Sequence, residues 1–208
     1  MKFSTISLFA LIALLFGIIS FTSCSRSERF AGQWQGNPER LIAVPGASDA
    51  NMTISLDFAP DLNKKGTGSV IISAVVEVEQ SVVGSPTSPD QPYEASVAAT
   101  ASISGRYACT DDDDDDLALT FDPTTMQVLV DPSGVTFSQN ILTGMQQPVL
   151  DSLSKATVEH WRVALTPAVR EVFNRYRTID DIKVHHGEIM SCEVADRDYT
   201  FRRVGVPD

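Results

Sequence analysis

Cys109 and Cys192 carry thiols that could form a covalent bond with each other. An even pair of thiols in an oxidising compartment predicts one disulfide bond. That bond would close a loop of roughly 80 residues and contribute about 3–5 kcal/mol by restricting the unfolded chain. Two separate buried thiols are the alternative. A metal pair is less expected, because no second cysteine or histidine lies at ligand spacing from Cys109.

Six consecutive aspartates occupy residues 111–116. Neighbouring like charges repel one another and stay hydrated, so this run predicts an exposed loop between strands. Calcium, which favours several carboxylate oxygens, is the alternative interpretation. The run lacks the glycine and the bidentate glutamate of an EF-hand loop. We therefore predict a solvated loop and no metal site.

The remaining reactive side chains do not indicate catalysis. His185, His186 and Glu188 suggest metal or acid–base chemistry, but adjacent residues of a strand point to opposite faces. The chain has no Gly-x-Ser-x-Gly motif, no Cys–His nucleophile pair and no phosphate loop. We expect no enzyme and no cofactor, and the sequence identifies no ligand-binding residue.

The first 24 residues direct the chain to a membrane. Lys2 precedes an apolar run over residues 6–21, which is a little short of the ~20 residues that a spanning helix needs. A positive start, an apolar centre and a small polar end are typical of a secretory signal peptide. The end of the run, Phe21-Thr22-Ser23-Cys24, resembles the lipobox of bacterial lipoproteins, where the chain is cleaved before a cysteine that receives lipid.

This resemblance implies a signal peptide over residues 1–23, lipid on Cys24 and a tether over residues 24–29. An ordinary cleaved signal and an uncleaved anchor are the alternatives. No aspartate directly follows Cys24, which resembles outer-membrane sorting in some bacteria. We expect a lipid-anchored protein of the bacterial cell envelope, in the outer membrane and facing the periplasm. Several acyl chains would hold it firmly, at about 0.8 kcal/mol per buried methylene.

Charge and length limit the other partners. The chain has 27 acidic and 16 basic residues, for a net charge of −11. Loss of residues 1–23 removes one lysine and no acid, so the mature net charge is −12. This charge argues against nucleic acid and against broad contact with anionic membranes. Residues 30–208 are long enough for one domain with a proper core.

Most of that domain has the patterns of β-strands. Residues 52–58, for example, alternate apolar and polar side chains. Eight strands can close into a barrel with room for one small ligand. The predicted strands cover residues 34–44, 52–58, 69–80, 94–109, 117–121, 126–130, 182–194 and 199–204.

The pattern becomes helical between residues 140 and 177. Val169, Val172 and Phe173 recur at helical spacing. Thr166 is the expected N-cap of this helix, with Pro167 at its first position. An earlier helix should begin near residue 148, and Pro167 should separate or kink the two.

The segment Gly32-Gln33-Trp34 resembles the opening of lipocalins and of bacterial lipocalin-like domains. The resemblance covers most of residues 24–208 in layout. It implies a mostly β, antiparallel up-and-down barrel with a helical insertion near residues 140–177. It also implies that Trp34 lies at the closed end, under an arginine of the last strand. Arg203 shares the inward parity of two aromatic residues of that strand, so we expect Arg203 rather than Arg202.

The resemblance further implies a small apolar or amphipathic ligand in the barrel. We therefore expect a membrane-anchored envelope lipoprotein that binds such a ligand. The alternative is an envelope interaction or accessory protein whose barrel is filled by side chains. The barrel interior separates the two, because a ligand needs an apolar cavity of several hundred Å³.

Overall fold

A computed structural model describes residues 29–205 of the chain, except residues 43, 83–92, 111–114 and 139–144. This part contains nine strands, one α-helix and a short 3-10 helix at Pro123–Thr125. The α-helix, α1, covers Gln147–Arg175. The strands are β1 Gly32–Arg40, β2 Asp49–Pro60, β3 Thr67–Val82, β4 Tyr93–Cys109, β5 Leu117–Phe121, β6 Gln127–Phe137, β7 Thr178–His185, β8 Ile189–Glu193 and β9 Asp198–Arg203.

Eight of the strands close a ring. Around the wall their order is β1, β2, β3, β4, β5, β7, β8 and β9, and β9 pairs back with β1. All these pairings are antiparallel. Both β5 and β6 pair with β4, at different heights, with the 3-10 helix between them. The observed fold is therefore the expected antiparallel, lipocalin-like up-and-down barrel with a late helical insertion.

Alternating side chains determine which face of each strand turns inward. In β2 and β3 every second residue is buried, because one face lies against the core and the other meets water. The buried set on these two strands is Ala50, Met52, Ile54, Leu56, Phe58, Val70, Ile72, Ala74, Val76 and Val78. The sequence pattern thus predicts the inner wall of the barrel correctly.

The prediction of one strand over residues 182–194 is wrong. The chain turns back between β7 and β8, where His186 and Gly187 both have positive φ angles, of 53° and 76°. Glycine adopts this backbone conformation without strain, and Gly187 was the sequence signal for the turn. The number of predicted strands equals the number in the ring only because two errors cancel. The prediction joins β7 and β8 into one strand, and it counts β6, which pairs with β4 beside β5 and is not part of the ring.

The prediction of two helices divided at Pro167 is also wrong, because α1 is continuous over 29 residues. Thr166 is not an N-cap; its hydroxyl donates a hydrogen bond to the Arg162 carbonyl at 2.6 Å. Proline in a helix costs a backbone hydrogen bond and crowds the preceding turn. Pro167 lies on the exposed side of α1, whereas Leu165 and Val169 on either side of it are fully buried. Packing of the buried face therefore outweighs the cost of the proline.

The helix completes the core of the barrel. Trp161, Leu165, Val169 and Phe173 recur every four residues and belong to one cluster with the inner wall. A side chain that lined a water-sized void would keep some accessible surface, yet these four are 0–1% exposed. One face of α1 therefore adds its side chains to the core inside the wall, while most of the other residues of the helix are exposed. No helix within the described ranges is both long and apolar enough to cross a bilayer.

Replacing Phe173 with alanine tests this role of α1. We expect Phe173→Ala to lower the free energy of unfolding by about 3–5 kcal/mol, because it removes a large buried ring and leaves a cavity. Urea denaturation measures the change. Val163, 58% exposed on the same helix, provides the control, and Val163→Ala should change stability by less than about 0.5 kcal/mol. Equal losses in the two variants would contradict the packing of this face of α1 against the core.

Candidate functional site

The closed end of the barrel is organised around Arg203, the last residue of β9. The expected contact with Trp34 is present: the guanidinium carbon lies 4.4 Å from the indole centroid, and the two residues are paired across β1 and β9. The same guanidinium donates three hydrogen bonds to backbone carbonyls. Nε bonds Gly187 at 2.6 Å, Nη1 bonds Ala31 at 2.7 Å and Nη2 bonds Arg29 at 3.1 Å. Arg203 therefore joins the first strand, the last strand and the β7–β8 turn.

The chain approaches β1 in a conformation that makes room for this arginine. Gly32 has a φ of +104°, and a Cβ atom there would lie 3.0 Å from Arg203 Nη1. The Trp34 indole N–H donates to the Phe30 carbonyl at 2.7 Å. Glycine in the Gly-x-Trp motif is thus required both by the backbone angle and by the space that Arg203 occupies.

Three aromatic rings fill the interior at the closed end. Phe30 packs edge-on against Phe58 at 5.2 Å and against Tyr107 at 5.7 Å, and Phe58 lies 5.6 Å from Tyr107. Burial, with a smaller contribution from Cys109, raises the pKa of Tyr107 to about 12. Its hydroxyl is buried without a hydrogen-bond partner among the described residues. The end near the N-terminus is therefore plugged rather than open.

Changing Arg203 to lysine tests the closure of this end. Lysine keeps the charge but cannot stack on Trp34 while also bonding three carbonyls, so Arg203→Lys should cost about 1–3 kcal/mol of unfolding free energy. Arg202→Lys, on the outward face of the same strand, is the matched control and should cost less than about 0.5 kcal/mol. Chemical denaturation of both variants gives the comparison. If Arg203→Lys were as stable as the control, Arg203 would not close the barrel.

A polar cluster lies inside the wall toward the other end. The Tyr199 hydroxyl donates to Glu39 Oε2 at 3.4 Å, and the Tyr199 ring lies 6.1 Å from that of Tyr176, directly after α1. Burial raises the pKa of Glu39, although the bond from Tyr199 and the charges of Arg197 and Arg175 act in the opposite direction. Burial also raises the pKa of Tyr176 far above its usual range. The cluster joins the end of α1 to β1 and β9.

This cluster should make stability depend on pH. Because the pKa of Glu39 is raised on folding, the folded state holds its proton more tightly than the unfolded state. Its contribution to stability is complete below the unfolded pKa and is lost as pH rises through the higher folded pKa. Glu39→Gln keeps an acceptor for Tyr199 and removes this titration, so its stability should fall less over that window.

Thermal unfolding between about pH 4 and pH 7 would compare the two proteins. We expect their unfolding free energies to diverge by under about 1 kcal/mol over this range. Glu77→Gln, on the exposed face of β3, is the control and should follow the wild type. The same pH dependence in Glu39→Gln and wild type would contradict this assignment.

The expected disulfide between Cys109 and Cys192 does not form; both residues carry thiols in the structure. Cys109 lies on β4, and β5 and β7 separate that strand from β8, which carries Cys192. Three strand spacings of about 4.8 Å exceed the reach of a disulfide along this wall. Burial, followed by the charge of Asp180, raises the pKa of Cys192 to about 12. The strand order keeps the two residues apart, and the number of cysteines gives no information on strand order.

The other predicted site residues fall largely outside the described residues. Cys24 and its tether up to residue 28 are among them, as are residues 111–114 of the aspartate run. Asp116, at the end of that run, accepts a hydrogen bond from the Asp181 backbone N–H at 2.9 Å and so helps to hold β7. Within the described ranges, no three potential ligands come together to hold a metal. Lipidation of Cys24 and solvation of the run therefore stay predictions.

An uncharged face covers part of the outer wall on β2, β3, β4 and β6. Thr53, Val75, Thr100 and Leu129 form one cross-strand row, and Ser55, Ser73, Ser102 and Gln127 form the next. Their small side chains leave a shallow groove of about 240 Å³. Val75 and Leu129 are exposed on this part of the wall. We call these eight residues the outer face.

Comparisons with protein-family models, curated proteins and solved structures find no match for this chain. Any assignment of function therefore rests on the sequence and the geometry of the barrel.

Proposed function

We propose that this chain is a lipid-anchored interaction or accessory protein of the bacterial cell envelope, with no ligand in its barrel and no catalytic activity. The observation that carries the proposal is the filled core, to which one face of α1 contributes. Trp161 and Leu165 have no accessible surface, and neither do Leu56 and Met190 of the wall around them. A carrier needs an apolar cavity of several hundred Å³, and these side chains leave no such volume beside them.

The anchoring part of the proposal rests on the N-terminal sequence. The apolar run that ends in Ser23-Cys24 supports cleavage before Cys24 and its acylation. The absence of an acidic residue directly after Cys24 favours the outer membrane, facing the periplasm. A lipid anchor suits an interaction protein, because it confines the barrel to the surface where its partners are found.

The outer face is the surface that we propose for contact with another protein. The chain has a net charge of −11, so most of its surface repels acidic partners. An uncharged patch also loses less hydration free energy than a charged one when a partner covers it. Val75 and Leu129 supply exposed apolar area on this face. Partner surfaces commonly combine such apolar residues with neutral hydrogen-bonding groups.

Binding of a small apolar or amphipathic ligand is the second candidate function. One observation favours it: the indole N–H of Trp161 is buried and has no acceptor among the described residues. A buried donor without a partner is unusual and is sometimes satisfied by a bound water or ligand. A ligand there would have to displace side chains of α1.

Native mass spectrometry of the protein purified from cell membranes tests the two functions against each other. We expect the mass of residues 24–208 plus acyl chains, with no further small molecule lost on denaturation. Cys24→Ala is the control for the anchor and should be left unprocessed or released from membranes. A stoichiometric small molecule that leaves the protein on unfolding would instead support the carrier. A Cys24→Ala protein that is still cleaved and membrane-bound would contradict the anchor.

A further inference from the structure

We infer that the closed end of the barrel rests on the lipid surface, where the β2–β3 loop places Leu62 among the lipids. The inference rests on the proposed lipid anchor at Cys24 and adds a second, non-covalent contact with the membrane. The partner is a zwitterionic phospholipid surface.

The short tether limits how far the closed end can move from an anchored Cys24. Arg203 holds the carbonyl of Arg29 through Nη2 at 3.1 Å, and Phe30 packs into the closed end against Phe58. Arg29 therefore follows Cys24 by five positions along the chain. At no more than about 3.6 Å per residue, these positions span at most about 18 Å. The end that holds Arg203 must lie near the bilayer.

Leu62 lies at this same end. Phe58 of β2 is paired with Gly32 at the start of β1, and Leu62 follows it by four residues, past the end of β2. The side chain of Leu62 is 96% exposed. An exposed leucine is unfavourable relative to a buried one, and contact with acyl chains would remove its apolar surface from water.

The loop that carries Leu62 has its own internal hydrogen bonds. The Asp61 N–H donates to the Thr67 carbonyl at 2.8 Å, the Asn63 N–H donates to Asp61 Oδ1 at 2.9 Å, and the Thr67 hydroxyl donates to the Lys64 carbonyl at 2.9 Å. These bonds hold a compact turn. Leu62 therefore projects from the end of the barrel on a turn that its own hydrogen bonds hold in place.

Two more exposed apolar side chains flank the tether on its other side. The backbone N–H of Val204 donates to the carbonyl of Gln33 at 2.9 Å, which places Val204 beside the start of β1. Ile189 begins β8 opposite Arg202. Both Val204 and Ile189 are exposed. Apolar side chains thus lie on both sides of the point where the tether meets the barrel.

Charge at this end selects the kind of lipid. The Cys109 N–H donates to the Gly66 carbonyl at 2.7 Å, so the β4–β5 connection, with Asp115 and Asp116, is next to the β2–β3 loop. These carboxylates would be repelled by an anionic surface. Lys64 in the loop can extend its ammonium to a phosphate while its stem stays against apolar groups. A zwitterionic surface accommodates both.

Tryptophan probes test this orientation in the full acylated protein. Leu62→Trp and Ile42→Trp would each be placed in phosphatidylcholine vesicles with brominated acyl chains, which quench nearby indoles. Ile42 is 75% exposed and follows β1, whose nine residues separate it from the closed end. Trp34 and Trp161 are buried and give the same background in both variants.

We expect the emission added by Leu62→Trp to be lost in brominated vesicles, and to shift to shorter wavelength in unbrominated ones. Ile42→Trp should keep its emission in both. Unquenched emission from Leu62→Trp in protein that floats with the vesicles would overturn the loop contact and leave the anchor standing. Equal quenching of both probes would overturn the fixed orientation. Wild-type protein that does not float with the vesicles would overturn the anchor itself, and with it this inference.

Discussion

The stability of a closed ring of eight strands depends on what fills its interior. In a barrel of this size the wall encloses just enough space for side chains or for one small ligand. Here the inward side chains of the strands fill that space, together with Trp161, Leu165, Val169 and Phe173 from one face of α1. The closed wall, the tolerance of Pro167 within a helix and the proposed function all depend on this packing. A barrel filled by its own side chains has its outer surface left for contact with other molecules.

Closure of the ring depends on a second, more local interaction. Arg203 stacks on Trp34 and donates hydrogen bonds to the carbonyls of Arg29, Ala31 and Gly187. These contacts hold the first and last strands together at the closed end of the barrel. A planar guanidinium with several donors can do this, whereas a single ammonium cannot. The same contact fixes where the N-terminal tether leaves the fold. Barrel closure and the orientation that we propose for a lipid-anchored chain thus depend on the same arginine.

Local patterns in the sequence predicted the features that neighbouring residues of a strand determine. Alternation identified the inner faces of the strands, and parity selected Arg203 over Arg202 because only one of them shares the inward face with Phe201. The failures involve tertiary structure. A proline on the exposed side of a well-packed helix does not end it, and a cysteine count carries no information about strand order. The inward position of Glu39 follows from a register shift in β1 between Gln35 and Pro38, which alternation alone does not predict.

The filled interior is the central claim of this account. Titration of the protein with a fluorescent fatty acid, after removal of its own acyl anchor and any bound lipid, tests it most directly. We expect no saturable increase in emission, because the described side chains of the inner wall and of one face of α1 are buried against one another and leave no room beside them for an acyl chain. Saturable binding of one fatty acid per chain, abolished by a bulkier side chain on the inner face of α1, would show that the helix moves aside and that the barrel is a carrier.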